Sequence, residues 1–389
     1  MKFLPFLFVF SLIASSVEID ISVPSFPDLA QYFAVPDSMV QLTIALNFLG
    51  FFIASLIYGP LSESFGRRKS MLLGNALLAI GALGCVFAPS ISWLLAARFI
   101  QGLGASASAV IVFAMIADVY KGKEAVKLIG MMNALLTVLI SIAPVMGGFI
   151  NEAIGWRGNY GIVAAICVLS WLLIFAFLPE TKEKFTPLEV KKILKDYRLL
   201  LGSKTFLSAS MAPSLLYCAY LAFVACAAFL YMQTFALSMM AYTLHQATIV
   251  AFFSFTSFFS QNIINKFSTS TALILFTAVY LIGALLLVAF SFIFPLCALA
   301  VTLSMILIKL GFAICYSIIF AKSLEIFPHI KGTASSVIMS MRALLCAGFV
   351  WLASVAYNGQ VLSVALVVFL AVTLAAATTV FAHSGTNTA

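Results

Sequence analysis

Charge is scarce in this chain. Asp, Glu, Lys and Arg make up 9% of its 389 residues, and histidine occurs three times. A soluble domain carries about 25% charged residues, and a 63% hydrophobic composition does not fit inside one core, so water is not the solvent for most of this surface. Catalytic patterns are missing as well: there is no Walker loop, no His-Glu-x-x-His pair and no Gly-x-Ser-x-Gly elbow. The seven cysteines (Cys85, Cys167, Cys218, Cys226, Cys297, Cys315 and Cys346) form no Cys-x-x-Cys or Cys/His group at metal-ligand spacing and read as buried apolar fillers. No catalytic residue, metal or cofactor is expected.

Long hydrophobic runs are what the chain does have. About 20 apolar residues rising about 1.5 Å each cross a bilayer, and twelve such runs can be drawn. They lie near 3–25, 39–60, 69–88, 92–118, 126–150 and 158–178, then near 209–235, 245–264, 270–291, 295–321, 333–356 and 361–382. Loops as short as Ala88-Pro89-Ser90 leave counts of eleven or thirteen open.

The placement of the cations gives the orientation. With the N-terminus inside, seventeen of the 21 Lys and Arg fall on one side, among them Lys2, Arg67, Arg68, Lys69, Lys121 and seven in the central loop. Arg157 alone sits in an outer loop, while Arg98, Lys309 and Arg342 lie within runs. Short loops rich in Lys and Arg stay cytoplasmic, so both termini are read as cytoplasmic and the net charge of +8 serves the bilayer, not nucleic acid. A second reading makes Lys2 and the run ending at Ala14-Ser15-Ser16 a cleavable signal peptide.

The polar stretch from about Glu180 to Lys204 divides the runs into two sets of six. Thr186 followed by Glu189 is a capping-box spacing, Pro187 suits a first helical position and Gly202 a stop. Val190, Ile193, Leu194, Tyr197, Leu200 and Leu201 share one face, with Lys191, Lys192, Lys195 and Arg198 on the other. A basic amphipathic helix on the cytoplasmic leaflet is one reading, and a solvated linker is the other. The expected units are a six-helix bundle over 1–180, a linker over 181–208 and a second bundle over 209–389. That is an all-α membrane protein, and two sets of six spans are the plan of the major facilitator fold.

Motifs make that resemblance specific. The loop after the second run reads Tyr58-Gly59-Pro60-Leu61-Ser62-Glu63-Ser64-Phe65-Gly66-Arg67-Arg68-Lys69 and resembles the superfamily's Gly-x-Leu-Ala-Asp-Arg-x-Gly-Arg-Arg loop, with Glu63 in place of Asp. Arg98 with Gln101-Gly102 resembles a second motif of the fourth span. Ala143-Pro144-Val145-Met146-Gly147-Gly148 resembles the stretch associated with exporters, with Ala143 replacing a glycine. Asp20, Pro24 and Pro27, together with Glu325-Ile326-Phe327-Pro328 and Gly332-Thr333-Ala334-Ser335, are similar to the bicyclomycin-resistance (Bcr/CflA) drug efflux family. Ala117, Lys309 and Arg342 depart from that pattern. Setting the halves against each other places Gln261, Asn265 and Ser268 opposite Gly59, Glu63 and Gly66, so the cytoplasmic latch is expected mainly in the first half.

The resemblance implies a secondary transporter of the inner membrane, a monomer acting on a small-molecule substrate and protons. Proton-driven antiport exporting drug-like compounds or metabolites is the leading reading, and dedicated movement of a metabolite or siderophore-like organic anion is the alternative. Asp20 lies about 27 Å along an inside-to-outside helix, at the depth of Arg98, so these two are read as the proton-coupling pair. A nearby cation favours a carboxylate and desolvation favours the neutral acid. Glu18, about 200° around the helix from Asp20, is expected to lie off that site unless the helix breaks. Gly59, Glu63, Gly66, Arg67 and Asp118 are read as the cytoplasmic gate, Pro144, Gly147 and Gly148 as the antiporter-type kink, and Gln101, Lys309, Tyr217 and Tyr220 as lining the substrate cavity. Arg342, on a span that packs peripherally in this fold, is read as structural.

Overall fold

In hydrocarbon a backbone has no water to bond to, so each apolar run closes its own hydrogen bonds as helix. The computed structural model describes residues 3–120, 123–182, 185, 187–264, 266–327 and 330–386. Lys2, Lys121, Thr186, Asn265 and Pro328, used above, lie outside the described residues.

The first run is a broken rod: α1 (Leu4–Ser16), α2 (Glu18–Ser22), a 3-10 turn (Val23–Ser25) and α3 (Phe26–Phe33), bent by 41° between α1 and the rest. Beside the bend Ser15 turns its hydroxyl back onto the Leu12 carbonyl; further on, Pro24 and Pro27 each withhold an N–H from the ladder where the 3-10 turn separates α2 from α3. Then follow α4 (Asp37–Phe65), α5 (Arg67–Val86), α6 (Ile91–Val119), α7 (Lys123–Ile154) and α8 (Trp156–Phe177). The linker carries α9 (Val190–Gly202). The second half holds α10 (Lys204–Phe229, extended by a π-turn to Thr234), α11 (Met239–Phe258), α12 (Ser260–Ile264), α13 (Thr269–Ile293), α14 (Ala298–Glu325), α15 (Lys331–Ala356) and α16 (Val361–Thr386).

Among the described residues nine helices are long and apolar enough to cross a membrane, ten if the bent first rod is one span, with a shorter apolar helix at Val138–Ile154. Among the described residues length and composition thus support nine to ten crossings, fewer than the twelve expected; α7 contributes its apolar stretch Val138–Ile154, and His245 and Gln246 interrupt the apolar run of α11.

The helices form two bundles. In the first, α6 packs along α4 and α5 while α8 covers α5; in the second, α10 packs on α14, α15 and α16, and α13 on α14. α10 is buried almost throughout, whereas α13 exposes most of its apolar surface, as a lipid-facing helix must. The bundles meet along α4 with α15 and α7 with α11. Hydroxyls mark both seams: Ser55 Oγ lies 2.6 Å from Ser340 Oγ, and Ser141 Oγ 2.8 Å from Ser254 Oγ.

The linker helix differs from its expected form. It begins at Val190, with Pro187 to Glu189 outside it, and ends at Gly202. Leu200 is buried in a cluster with Phe206, Ala334, Val337 and Ile338 of α10 and α15, while the Tyr197 hydroxyl donates to the Leu56 carbonyl of α4 at 2.8 Å. Burial there pushes the Tyr197 phenol above its ordinary value. α9 thus ties the halves together, and Val190, Leu194 and Leu201 stay exposed. Six cysteines are buried; Cys297 is exposed, since it precedes α14 in a loop instead of lying in a span.

Candidate functional site

Arg98 is fully buried on α6, and what surrounds it differs from the expected partner. Its Nη1 lies 3.5 Å from Glu18 Oε2 and donates to Gln101 Oε1 at 2.9 Å; its Nη2 reaches Ser22 Oγ at 3.4 Å. Asn47 on α4 donates to Glu18 Oε1 at 3.0 Å and to the Arg98 carbonyl at 3.3 Å, and the Tyr160 ring lies 5.8 Å away. Glycine makes this approach possible, because a side chain at Gly102 would collide with the Asn47 carbonyl. The counter-ion of Arg98 is therefore Glu18, not Asp20. Gln101 is likewise corrected: it is fully buried in this network and does not line the central cavity, because its position one turn after Arg98 carries it to the same face.

The central cavity, about 500 Å³, lies between the bundles. Asp20, Lys309, Tyr217 and Tyr220 line it, as do Phe48, Phe312 and Arg342. Asp20 makes no ion pair with Arg98 and interacts electrostatically with Lys309, which is 3% exposed. The Lys309 ammonium sits 3.2 Å from the centroid of the Tyr220 ring, 4.6 Å from that of Phe253 and 5.4 Å from that of Phe312. Gln246 donates to the Tyr220 hydroxyl at 3.0 Å and so fixes that ring. Arg342 lies within 6 Å of the rings of Tyr217, Tyr316 and Phe320, and its Nη2 donates to the Tyr316 hydroxyl at 3.4 Å. Its place on the cavity wall corrects the reading of a peripheral structural residue. The sequence carried a usable signal, an arginine inside an apolar run, which is costly without a purpose.

At the cytoplasmic end Arg67 Nε lies 3.0 Å from Asp118 Oδ2, and Arg67 Nη1 donates to Ser62 Oγ at 2.7 Å. Both ion-paired residues belong to the first bundle. Glu180, which the sequence reading passed over, accepts from the backbone N–H groups of Arg67 (2.9 Å) and Arg68 (3.2 Å), placing an anion at the positive end of α5. Gly66 has φ +102°, and a side chain there would meet the Glu180 carboxylate. Gly59 packs on Ser336 of α15, and Glu63 lines a cavity of about 510 Å³ with Thr333 and Ser336 near the start of α15.

Pro144 lies inside α7, which continues through it. The two glycines beyond it permit contact on opposite sides: Gly147 abuts the Ile21 carbonyl of the broken first rod, and Gly148 abuts Thr243 of α11. The outer end is closed by Phe26 against Phe229, by Asn151 donating to Asp28 and to Met239 Sδ, and by an Asp37–Gln233 hydrogen bond. Among the described residues no three His, Cys, Asp or Glu side chains are placed to hold a metal.

Comparison with known proteins agrees with this architecture. Chain similarity extends over 239 residues, at 32% identity, to an uncharacterized MFS-type transporter of Bacillus subtilis, YdgK, covering 60% of each chain. A bicyclomycin resistance protein homolog of Haemophilus influenzae is 25% identical over 83% of this chain and 82% of its own. A chloramphenicol resistance protein of Pseudomonas aeruginosa is 26% identical over 86% and 80%. In fold, a D-xylose-proton symporter superposes with a TM-score of 0.76 at 17% identity, over 95% of this chain and 96% of its own. The partially occluded inward-open xylose transporter XylE of E. coli gives 0.72 at 16% over 97% of both. The family profile described as Major Facilitator Superfamily matches residues 8–350, so the chain belongs to that superfamily, as a multi-pass transporter of the bacterial inner membrane and not an enzyme.

Proposed function

We propose that the protein moves a small organic molecule across the inner membrane by alternating access, coupled to protons, with export by antiport as the leading reading. The single observation that carries it is Asp20, a carboxylate on the wall of the central cavity that is not joined to Arg98, whereas its neighbour Glu18 is. An acid facing a space of about 500 Å³ between two bundles can load a proton on one side and lose it on the other as the bundles tilt. The names of the relatives, for bicyclomycin and chloramphenicol resistance, support a compact antibiotic-like substrate.

The rest of the reading follows the same plan. Twelve spans form halves 1–180 and 209–389, with 181–208 as the strap between them, in a monomer. Arg67, Asp118 and Glu63 hold the cytoplasmic gate with Gly59 and Gly66, and Pro144, Gly147 and Gly148 form the antiporter-type kink, where Gly147 packs on the first rod and Gly148 on α11 of the second half. A second reading, transport of an organic anion, is favoured by Lys309 and Arg342 on the cavity wall. The test is flux of anionic, neutral and cationic compounds into inside-out vesicles under an imposed pH gradient. Asp20→Asn is expected to abolish gradient-driven flux while leaving downhill exchange. Unchanged pH dependence in that variant refutes the proton-coupling role.

A further inference from the structure

The central cavity carries an uneven set of charges. Glu18 and Arg98 neutralise each other at its edge, which leaves Asp20 facing two cations, Lys309 and Arg342. Lys309 makes no hydrogen bond or ion pair with a described residue closer than its aromatic contacts, and Nε of Arg342 is buried without a partner. Aromatic faces attract a cation but do not replace its hydration, so each of these groups lacks an anion. A cationic substrate meets repulsion here, and a neutral one leaves both cations unmatched. The rings of Tyr217, Tyr220, Phe312 and Tyr316 meanwhile form flat walls on which an aromatic body stacks.

We propose that the cavity binds a flat aromatic organic monoanion between Lys309 and Arg342, and that the anion is bound together with a proton on Asp20. This rests on the organic-anion reading above and replaces antiport, for that reading, by movement of anion and proton together. The reasoning is one of exclusion. A charged Asp20 shares the cavity wall with Lys309 without pairing to it, attracts that ammonium and repels an incoming carboxylate. Once Asp20 is neutral, Lys309 is left for the ligand. Among the other ionisable groups Lys309 alone acts in the same sense, by losing its proton as pH rises, and Lys309→Arg, which stays charged, removes that route and is expected to keep the pH dependence. α10 brings Tyr217 and Tyr220, α11 Tyr242, α14 Lys309 and Tyr316, and α15 Arg342. From α6 and α8, Arg98 and Tyr160 face Glu18 instead, and α7 has no ionisable side chain between residues 128 and 150. One anion and one proton add no net charge, so the loaded step is electroneutral.

The test uses the purified full-length chain and radiolabelled salicylate, whose carboxylate stays ionised across the range used. Binding is expected to tighten as pH falls from about 8 to about 6, by at most about tenfold per pH unit, the limit that one linked proton sets. Neutral salicylamide and cationic benzylamine in excess are expected not to displace it. Asp20→Asn is expected to bind at the higher pH as tightly as the unaltered protein does at the lower, with no pH dependence. Lys309→Gln is expected to lose binding that Lys309→Arg keeps. Affinity that is flat or rises with pH, or displacement by salicylamide equal to that by salicylate, overturns the proposal. Chloramphenicol flux under a pH gradient, measured in vesicles of the same protein, separates the two readings. If the gradient drives chloramphenicol and salicylate does not bind, this inference fails and proton-coupled transport stands. If salicylate binds as expected and no compound responds to the gradient, the transport reading fails and the anion site stands.

Discussion

Replacing Glu18 by Ala removes the one anion within 4 Å of Arg98 among the described residues, while the guanidinium stays fully buried on α6. Deleting one member of a buried pair typically costs about 3–5 kcal/mol, chiefly because the surviving charge is stranded. Here Gln101 Oε1 still accepts from Arg98 at 2.9 Å, which places the expected loss at the lower end, about 3 kcal/mol. Asn47→Ala, which removes hydrogen bonds to Glu18 and to the Arg98 carbonyl, is expected to cost about 2 kcal/mol. Substituting both charges, Glu18→Met with Arg98→Met, is expected to recover part of that loss, leaving about 1–2 kcal/mol because Gln101 Oε1 loses the Arg98 donor and Asn47 one of its acceptors. Asp20→Asn, on the cavity wall, is expected to cost less than about 1 kcal/mol. Reversible unfolding in mixed detergent micelles, followed by circular dichroism, measures all of these. Were Glu18→Ala nearly neutral and Asp20→Ala the costly change, the assignment of Glu18 as the arginine's counter-ion would be wrong.

Three further outcomes are expected. Asp118→Ala releases Arg67 and is expected to shift the population toward inward-facing states; faster labelling of a cysteine at Ser336 by an impermeant maleimide in inside-out vesicles reports it, and an unchanged rate speaks against a gating role. Gly66→Ala is expected to lower stability by about 1–3 kcal/mol, because φ is +102° and the new methyl meets the Glu180 carboxylate, whereas Glu180→Ala is expected to cost about 1 kcal/mol; equal melting temperatures for Gly66→Ala and the parent would refute the strain argument. Tyr197→Phe breaks the bond to the Leu56 carbonyl and is expected to speed tryptic cleavage between Lys191 and Arg198; an unaltered rate would mean that Leu200 alone holds the linker.

The sequence was most legible where hydrocarbon sets the rule. An apolar run has one way to satisfy its backbone, so the helices lie close to where hydropathy places them. Depth was legible too, since a fixed rise per residue put the first-span acids and Arg98 at one level. Azimuth was not. Glu18 and Asp20 do point to different sides, but which side faces α6 and which faces the second bundle depends on how a rod broken near Ser16 leans on α7. Gln101 was misplaced for a related reason: a glutamine near a cavity-lining arginine looks available to substrate until the helix face shows both turned inward. Glu180 escaped notice because its role is set by a turn more than 100 residues away, for which a single sequence carries no local sign.

The serine contacts between the bundles bear on speed. Ser55 is also within 3.0 Å of the Phe52 carbonyl, and Ser254 within 2.9 Å of that of Val250. When the seam slides, Ser55 and Ser254 keep acceptors in their own helices, so neither of these two protons is abandoned in hydrocarbon. If the bundles rock along this seam as proposed, these serines are expected to add little resistance, and turnover is expected to respond more to changes at Arg67–Asp118 and Asn151–Asp28 than to Ser55→Ala or Ser254→Ala.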